Sequence, residues 1–160
     1  MKIAVVSDTH NNMANFKKAI DLIKKENIEL ILHCGDICSQ ETIDEAQKYF
    51  GGEMKFAKGN GDHGLDLPEK VELELKNPST DSGRAKLVAF CHFPDIAKKM
   101  AQSGKFDLVF YGHTHRPWDE KIGETRMINP GEIAGQFYKP TFAVYDTATN
   151  KLELKILENL

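Results

Sequence analysis

KIAVVSDTH, residues 2–10, passes from a compact apolar run directly into two side chains that can bind a metal, Asp8 and His10. The run is β-branched and does not alternate with polar residues, which is the pattern of a strand buried on both faces of a parallel sheet. Asn12 follows as a helix cap, and Met13, Phe16, Ala19, Ile20 and Ile23 form one apolar helical stripe. LILH (30–33) is a second strand. Ser39 caps a helix that carries Ile43, Ala46 and Phe50 and stops at Gly51-Gly52, and MKFAK (54–58) is a third strand. Strand, helix, strand, helix, strand implies parallel pairing through right-handed crossovers.

The second half is richer in strands. VELEL (71–75) and LELKI (152–156) alternate, which predicts sheets with one solvated face. KLVAFC (86–91) and DLVFY (107–111) flank a short helix over 95–102 that Gly104 closes. FAVYD (142–146) and the Thr149-Asn150 turn lead into the last strand as an antiparallel hairpin. No repeat, low-complexity tract or linker interrupts the chain, so residues 1–160 read as one α/β domain with mixed sheets.

Composition excludes several classes. The 160 residues are 41% hydrophobic and 28% charged, an ordinary globular balance. A net charge of −3 supplies no basic field, so stable binding to nucleic acid or to an anionic membrane is not expected. No stretch approaches the ~20 apolar residues of a membrane span, and KIAVV is too short for a signal-peptide core. Three cysteines, Cys34, Cys38 and Cys91, read as reduced thiols in a cytoplasm. A zinc site from Cys34, Cys38 and His33 is the less favoured alternative, because free cysteine is commonly a small buried apolar residue.

The polar residues gather in a pattern. Five segments place metal-type donors just after an apolar strand: SDTH (Asp8, His10), CGD (Asp36), KGN (Asn60), FCH (His92) and GHTH (His113, His115). Loops leaving the carboxyl ends of parallel strands share one sheet edge, where ligands bind in open α/β folds. In an extended chain His113 and His115 would point the same way, and Gly112 permits close backbone approach. Each residue alone has a bland reading as a cap, a turn or a satisfied structural histidine, but five such coincidences do not fit that reading. Mixed carboxylate, amide and imidazole donors suit Mn, Fe, Co, Ni or Zn. Seven donors exceed what one catalytic zinc takes and suit two ions, an arrangement used for phosphoryl transfer.

The order DTH, GD, GN, a lone His and GHTH resembles the calcineurin-like metallophosphoesterases. The length and NPGE (129–132) are similar to their small prokaryotic YfcE-type phosphodiesterases. The resemblance implies two mixed β-sheets packed as a sandwich and flanked by helices. It implies one ion held by Asp8, His10 and His115, another by Asn60, His92 and His113, and Asp36 between them. Manganese is the first expectation, with nickel, cobalt, iron or zinc as alternatives. The implied activity is hydrolysis of a small phosphodiester by in-line attack of a metal-bridging hydroxide, with Asn60 and Arg116 as candidate contacts to phosphate oxygens.

Three departures stand out. Family members often read GNH where this chain has Asn60-Gly61, an acidic residue often follows GD where this chain has Ile37-Cys38, and Phe93 stands where HGH has glycine. Without the histidine at 61, His63 is the candidate proton donor, with an unengaged loop histidine as the alternative. Specificity is expected in loops such as Asn77 to Gly83 and Arg116 to Gly123, and a hairpin edge suggests a homodimer. The competing functions are a non-catalytic interaction scaffold of the Vps29 kind on the same fold and a redox enzyme at a dinuclear iron site.

Overall fold

The computed structural model describes residues 1–76 and 84–159. The first strand, β1 (Lys2–Val6), is buried on both sides. Ile3 and Val5 enter one apolar cluster and Ala4 and Val6 another, because successive side chains of a strand point to opposite faces. Helix α1 (Met13–Lys25) begins where the Asn12 side chain accepts a bond from the Asn15 amide, and it buries Phe16, Ala19, Ile20 and Ile23. β2 (Leu30–His33) follows. Ser39 caps α2 (Gln40–Phe50), and Gly51, at φ +74°, ends it in the left-handed region. β3 (Glu53–Phe56) completes the first half. β1, β2 and β3 are parallel neighbours, as the alternating sequence predicts.

The second half adds β4 (Lys70–Leu75), β5 (Lys86–Cys91), α3 (Pro94–Gln102) and β6 (Leu108–Phe110). It continues through β7 (Trp118–Ile122), β8 (Thr125–Asn129), β9 (Thr141–Asp146) and β10 (Lys151–Ile156). Two five-stranded sheets result, in the orders β10-β9-β1-β2-β3 and β4-β5-β6-β8-β7. The last hairpin, β9-β10, is antiparallel and docks β9 against β1.

Three apolar layers hold these sheets. Ile3, Val5, Leu32, Val88, Phe90, Phe110 and Tyr145 fill the space between them. Phe16, Ile20 and Ile43 seal α1 and α2 onto the first sheet, while Met100, Ala101, Val109 and Met127 seal α3 onto the second. The order is helices, sheet, sheet, helix, each fully buried large side chain contributing about 1.5–3 kcal/mol. Among the described residues no helix is long and apolar enough to cross a membrane.

One expectation is corrected. Arg116 to Gly123 is not a free loop: Trp118–Ile122 forms edge strand β7, joined to β8 by a tight turn at Gly123 and Glu124 and paired with it from Trp118–Asn129 to Ile122–Thr125. WDEKI hides this because β7 is almost wholly exposed and so needs no apolar alternation. The other expected specificity stretch, Asn77 to Gly83, lies outside the described residues.

Candidate metal centre

Five strands deliver the seven donors to one edge, where the carboxyl ends of β1, β2 and β3 face those of β5 and β6. Asp8 Oδ1 lies 3.4 Å from His115 Nε2 and 3.9 Å from His10 Nε2. Asp36 Oδ2 stands between two groups, 3.6 Å from His10 Nε2 and 3.5 Å from His92 Nε2. His92 Nε2, His113 Nδ1 and Asn60 Oδ1 form a tight triangle with sides of 2.9, 3.0 and 3.2 Å. Asp8, His10 and His115, and likewise Asp8, Asp36 and His92, offer donor atoms all within 4.8 Å of one another. Asp8, Asp36 and His92 are buried while Asn60 and His113 are exposed, so the cluster opens to solvent on the latter side.

The hydrogen bonds around the cluster set the tautomers. Glu132 Oε2 lies 2.8 Å from His115 Nδ1, which as the donor leaves a bare lone pair on Nε2 facing the Asp8 carboxylate. His92 Nδ1 donates to the Cys34 carbonyl at 2.8 Å, leaving its Nε2 lone pair among Asn60 and Asp36 oxygens. At His115 and Asp8 an acceptor therefore faces an acceptor, while His92 Nε2 has His113 Nδ1 at 3.2 Å within hydrogen-bond reach. Asp8 Oδ1 and His10 Nε2 are buried with no hydrogen-bond partner among the described residues, which buried polar atoms rarely tolerate. Burial pushes the Asp8 carboxyl up to about 7, against the pull of the His115 imidazole. Burial likewise lowers His92, keeping its imidazole neutral as a ligand must be. The donor set fits divalent cations.

Backbone strain gathers at the same place. Asp8, His10, Asp36, His113 and His115 have φ of +52°, +46°, +59°, +70° and +61°, a region non-glycine residues seldom occupy. The geometry also corrects the reading of GHTH as an extended pair. With both histidines left-handed, His113 turns to Asn60 and His92 while His115 turns to Asp8 and Glu132. Gly112 is required by close approach, since a Cβ there would collide with Ser7 Oγ and lie 2.8 Å from Asp8 Oδ2.

The departures become intelligible together. A Cβ at Gly61 would lie 2.9 Å from Cys38 Sγ and 3.2 Å from Asp36 Oδ1, so Cys38 fills space that a side chain at 61 would need. Cys38 Sγ also reaches His10 Nδ1 at 3.6 Å. Phe93 packs its ring on His92 and His113, at centroid distances of 5.1 and 5.2 Å, and walls that side of the cluster. His63 is exposed, and no described hydrogen bond ties it to the cluster. The zinc alternative does not assemble: Cys34 points into the intersheet core, and no group of converging donors among the described residues includes Cys34 or Cys38.

Supporting residues escape sequence reasoning. Buried Asp62 accepts from the amides of Asp36, Cys38 and Gly59 at 2.9, 2.7 and 2.7 Å, clamping two donor loops together. His33 accepts from the Gly35 amide at 3.2 Å and so donates to Thr9 Oγ1 at 2.9 Å. Glu132 also takes the amides of Gln136, Phe137 and Tyr138, and with the His115 bond these hold it below the usual carboxylate range although burial opposes them. Asn129 Nδ2 braces the histidine loop through Gly112 O and Thr114 Oγ1. Only NPGE carried any signal for these contacts.

Residues 1–150 match the model of the calcineurin-like phosphoesterase superfamily domain. The chain belongs to that superfamily. It is 30% identical over 166 residues to phosphodiesterase MJ0936 of Methanocaldococcus jannaschii, covering 99% of this chain and 100% of that one. Among solved structures it is similar to an archaeal phosphodiesterase with a TM-score of 0.83 and 27% identity, covering 98% and 99% of the two chains. It is also similar to the Escherichia coli phosphoesterase YfcE, with a TM-score of 0.66 and 16% identity over 98% and 100%. The sandwich of two mixed sheets is thus the metallophosphoesterase fold, and the superfamily implies divalent metal ions.

Proposed function

We propose that this calcineurin-like chain, residues 1–160 as one domain, is a phosphodiesterase working with two divalent ions, manganese first among them. Asp8, His10 and His115 would hold one ion, Asn60, His92 and His113 the other, and Asp36 would bridge them. The observation that carries the reading is the meeting of unsatisfied polar atoms, with Asp8 Oδ1 and His10 Nε2 buried and without a hydrogen-bond partner among the described residues, between converging imidazoles and carboxylates. Bound ions supply an acidified water for in-line attack and neutralise phosphate charge. The chain's own part is positional. Glu132 and the Cys34 carbonyl aim His115 and His92, Asp62 ties the Asp36 and Asn60 loops, and Asn60 on the open side can orient a phosphate oxygen.

His63 is the proposed proton donor to the leaving group, three residues beyond Asn60 and exposed. Its substitution by alanine should slow diesters with alkyl leaving groups more than p-nitrophenyl esters, at unchanged metal content. Gly61 removes one group that would serve a monoester's extra charge, so diesters should exceed monoesters in kcat/KM. Three free cysteines fit a reducing cytoplasm.

The alternative of a Vps29-like scaffold is supported by likeness of fold alone. The test is to strip the protein of metal, reload it with Mn²⁺, and measure bound metal together with hydrolysis of bis-p-nitrophenyl phosphate and p-nitrophenyl phosphate. Two ions per chain and restored diesterase activity are expected. A metal-free, inactive protein would favour the scaffold.

A further inference from the structure

We infer that the pocket beside the His113–His115 loop is a subsite for a nucleobase, which makes nucleotide phosphodiesters the substrate class; this rests on the phosphodiesterase reading above. The pocket measures ≈ 370 Å³ and is lined by Tyr111, Thr114, Arg116, Trp118, Glu120 and Tyr138. That size falls within the range of small-molecule sites.

It is built from the same segments that aim the metal donors. Thr114 lies between His113 and His115, and its hydroxyl is 3.0 Å from the Asn129 amide nitrogen. The Tyr138 amide donates to Glu132 Oε1, while the other oxygen of that carboxylate holds His115. The pocket and the donor cluster thus share the histidine loop and the Glu132 anchor.

The surface chemistry selects the ring. Six large hydrophobic side chains are exposed among the described residues; two of them, Trp118 and Tyr138, at 48% and 49%, line this pocket, and a third, Phe137, precedes Tyr138 in the chain. The Phe137 ring meets the His115 ring edge-on at 4.9 Å between centroids, so an exposed ring also flanks the donor cluster. The Arg116 guanidinium stands 5.3 Å above the centre of the Trp118 ring. Aromatic faces of this kind stack on any base. The polar lining matches a base edge: the Glu120 carboxylate accepts from an exocyclic amine or ring N–H, and Arg116 and Thr114 donate to carbonyl or ring-nitrogen acceptors. An aliphatic diester would leave the Trp118 and Tyr138 rings and the Glu120 carboxylate unused.

Trp118 is the sole tryptophan of the chain, so its emission reports on the pocket directly. Adenosine 5′-phosphate should quench it saturably, and ribose 5-phosphate, which lacks only the base, should need at least about tenfold higher concentration. Equal effects of the two, or none from either, would overturn the proposal. Kinetics supply a second arm with one leaving group throughout, comparing p-nitrophenyl thymidine 5′-phosphate with methyl p-nitrophenyl phosphate. Trp118→Ala and Tyr138→Ala should each lower the ratio of the two kcat/KM values about tenfold. An unchanged ratio would assign these rings to the wall of the site or to a docking surface for another protein, and would sink the base subsite. If the wild-type protein hydrolyses neither ester, the phosphodiesterase reading fails, and the quenching result still decides this one.

Discussion

Asp36 has two tasks that conflict unless cations are present. One oxygen takes the Gly61 amide at 2.6 Å, and the other lies 3.6 Å from His10 Nε2 and 3.5 Å from His92 Nε2. Asp36→Ala should therefore deplete both ions, His115→Ala chiefly the one shared with Asp8 and His10, and His92→Ala chiefly the other. Metal analysis of each purified variant checks this, and two ions retained in the Asp36 variant would reject its bridging role. Gly61 shows the same tightness from the steric side. Because Cys38 Sγ and Asp36 Oδ1 crowd the position of its absent Cβ, Gly61→Ala should destabilise the protein by about 1–3 kcal/mol in denaturant unfolding. Adding Cys38→Ala should recover part of that loss. No recovery would mean that the Asp36 side, not the thiol, sets the limit.

At the scale of elements, the strand ends matter more than the strands. β2 closes on His33, whose ring links the Gly35 turn before Asp36 to Thr9 between Asp8 and His10. Burial holds His33 down to about 3 from an ordinary 6.5. Above about pH 6.5 both folded and unfolded chains carry it neutral, and it adds no slope. Between 6.5 and about 3 the unfolded chain binds a proton that the folded one refuses, so stability falls as pH falls. The slope is about 1.4 kcal/mol per pH unit for one proton. A series of denaturant titrations should show His33→Gln less stable near neutrality but with a shallower acid decline. Parallel declines would show that His33 does not titrate differently in the two states. The β7-β8 hairpin acts at this scale too, since its edge strand brings Trp118 beside the histidine loop, where sequence reasoning places only a loop.

For the whole molecule, bound metal should raise stability. Without ions the fold buries two carboxylates, Asp8 and Asp36, among lone pairs that repel them. An ion that binds only the folded state adds about 2.7 kcal/mol at a hundred times its dissociation constant. For a chain of this size that corresponds to a rise in Tm of roughly 5–10 °C. Thermal unfolding of stripped and Mn²⁺-loaded protein measures it, and Asp36→Ala should lose most of the difference. Identical melting curves for stripped and loaded wild-type protein would contradict a metal centre built into the fold.

Local chemistry is written in order along the chain, and the sequence by itself determined what depends on it. The doubly buried run 3–6, the caps at Asn12 and Ser39, the stop at Gly51 and the hairpin at Thr149-Asn150 are settled within a few residues of themselves. The placing of Asp8, Asp36, Asn60, His92 and the GHTH pair after strands was legible too, because a parallel sheet leaves those ends on one edge. Tertiary structure decided what depends on contacts between distant residues. No spacing rule shows that Glu132 orients His115 from 17 residues away, or that Asp62 joins the loops of Asp36 and Gly59. Nor does it show that a thiol at 38 fills the space above Gly61. The exposed strand β7 was invisible for the opposite reason, since a strand that buries nothing leaves no apolar period, and only pairing with β8 gives it form. Left-handed backbone at both histidines completes the division: the sequence names the candidate ligands, but the packing of two sheets turns them toward different partners.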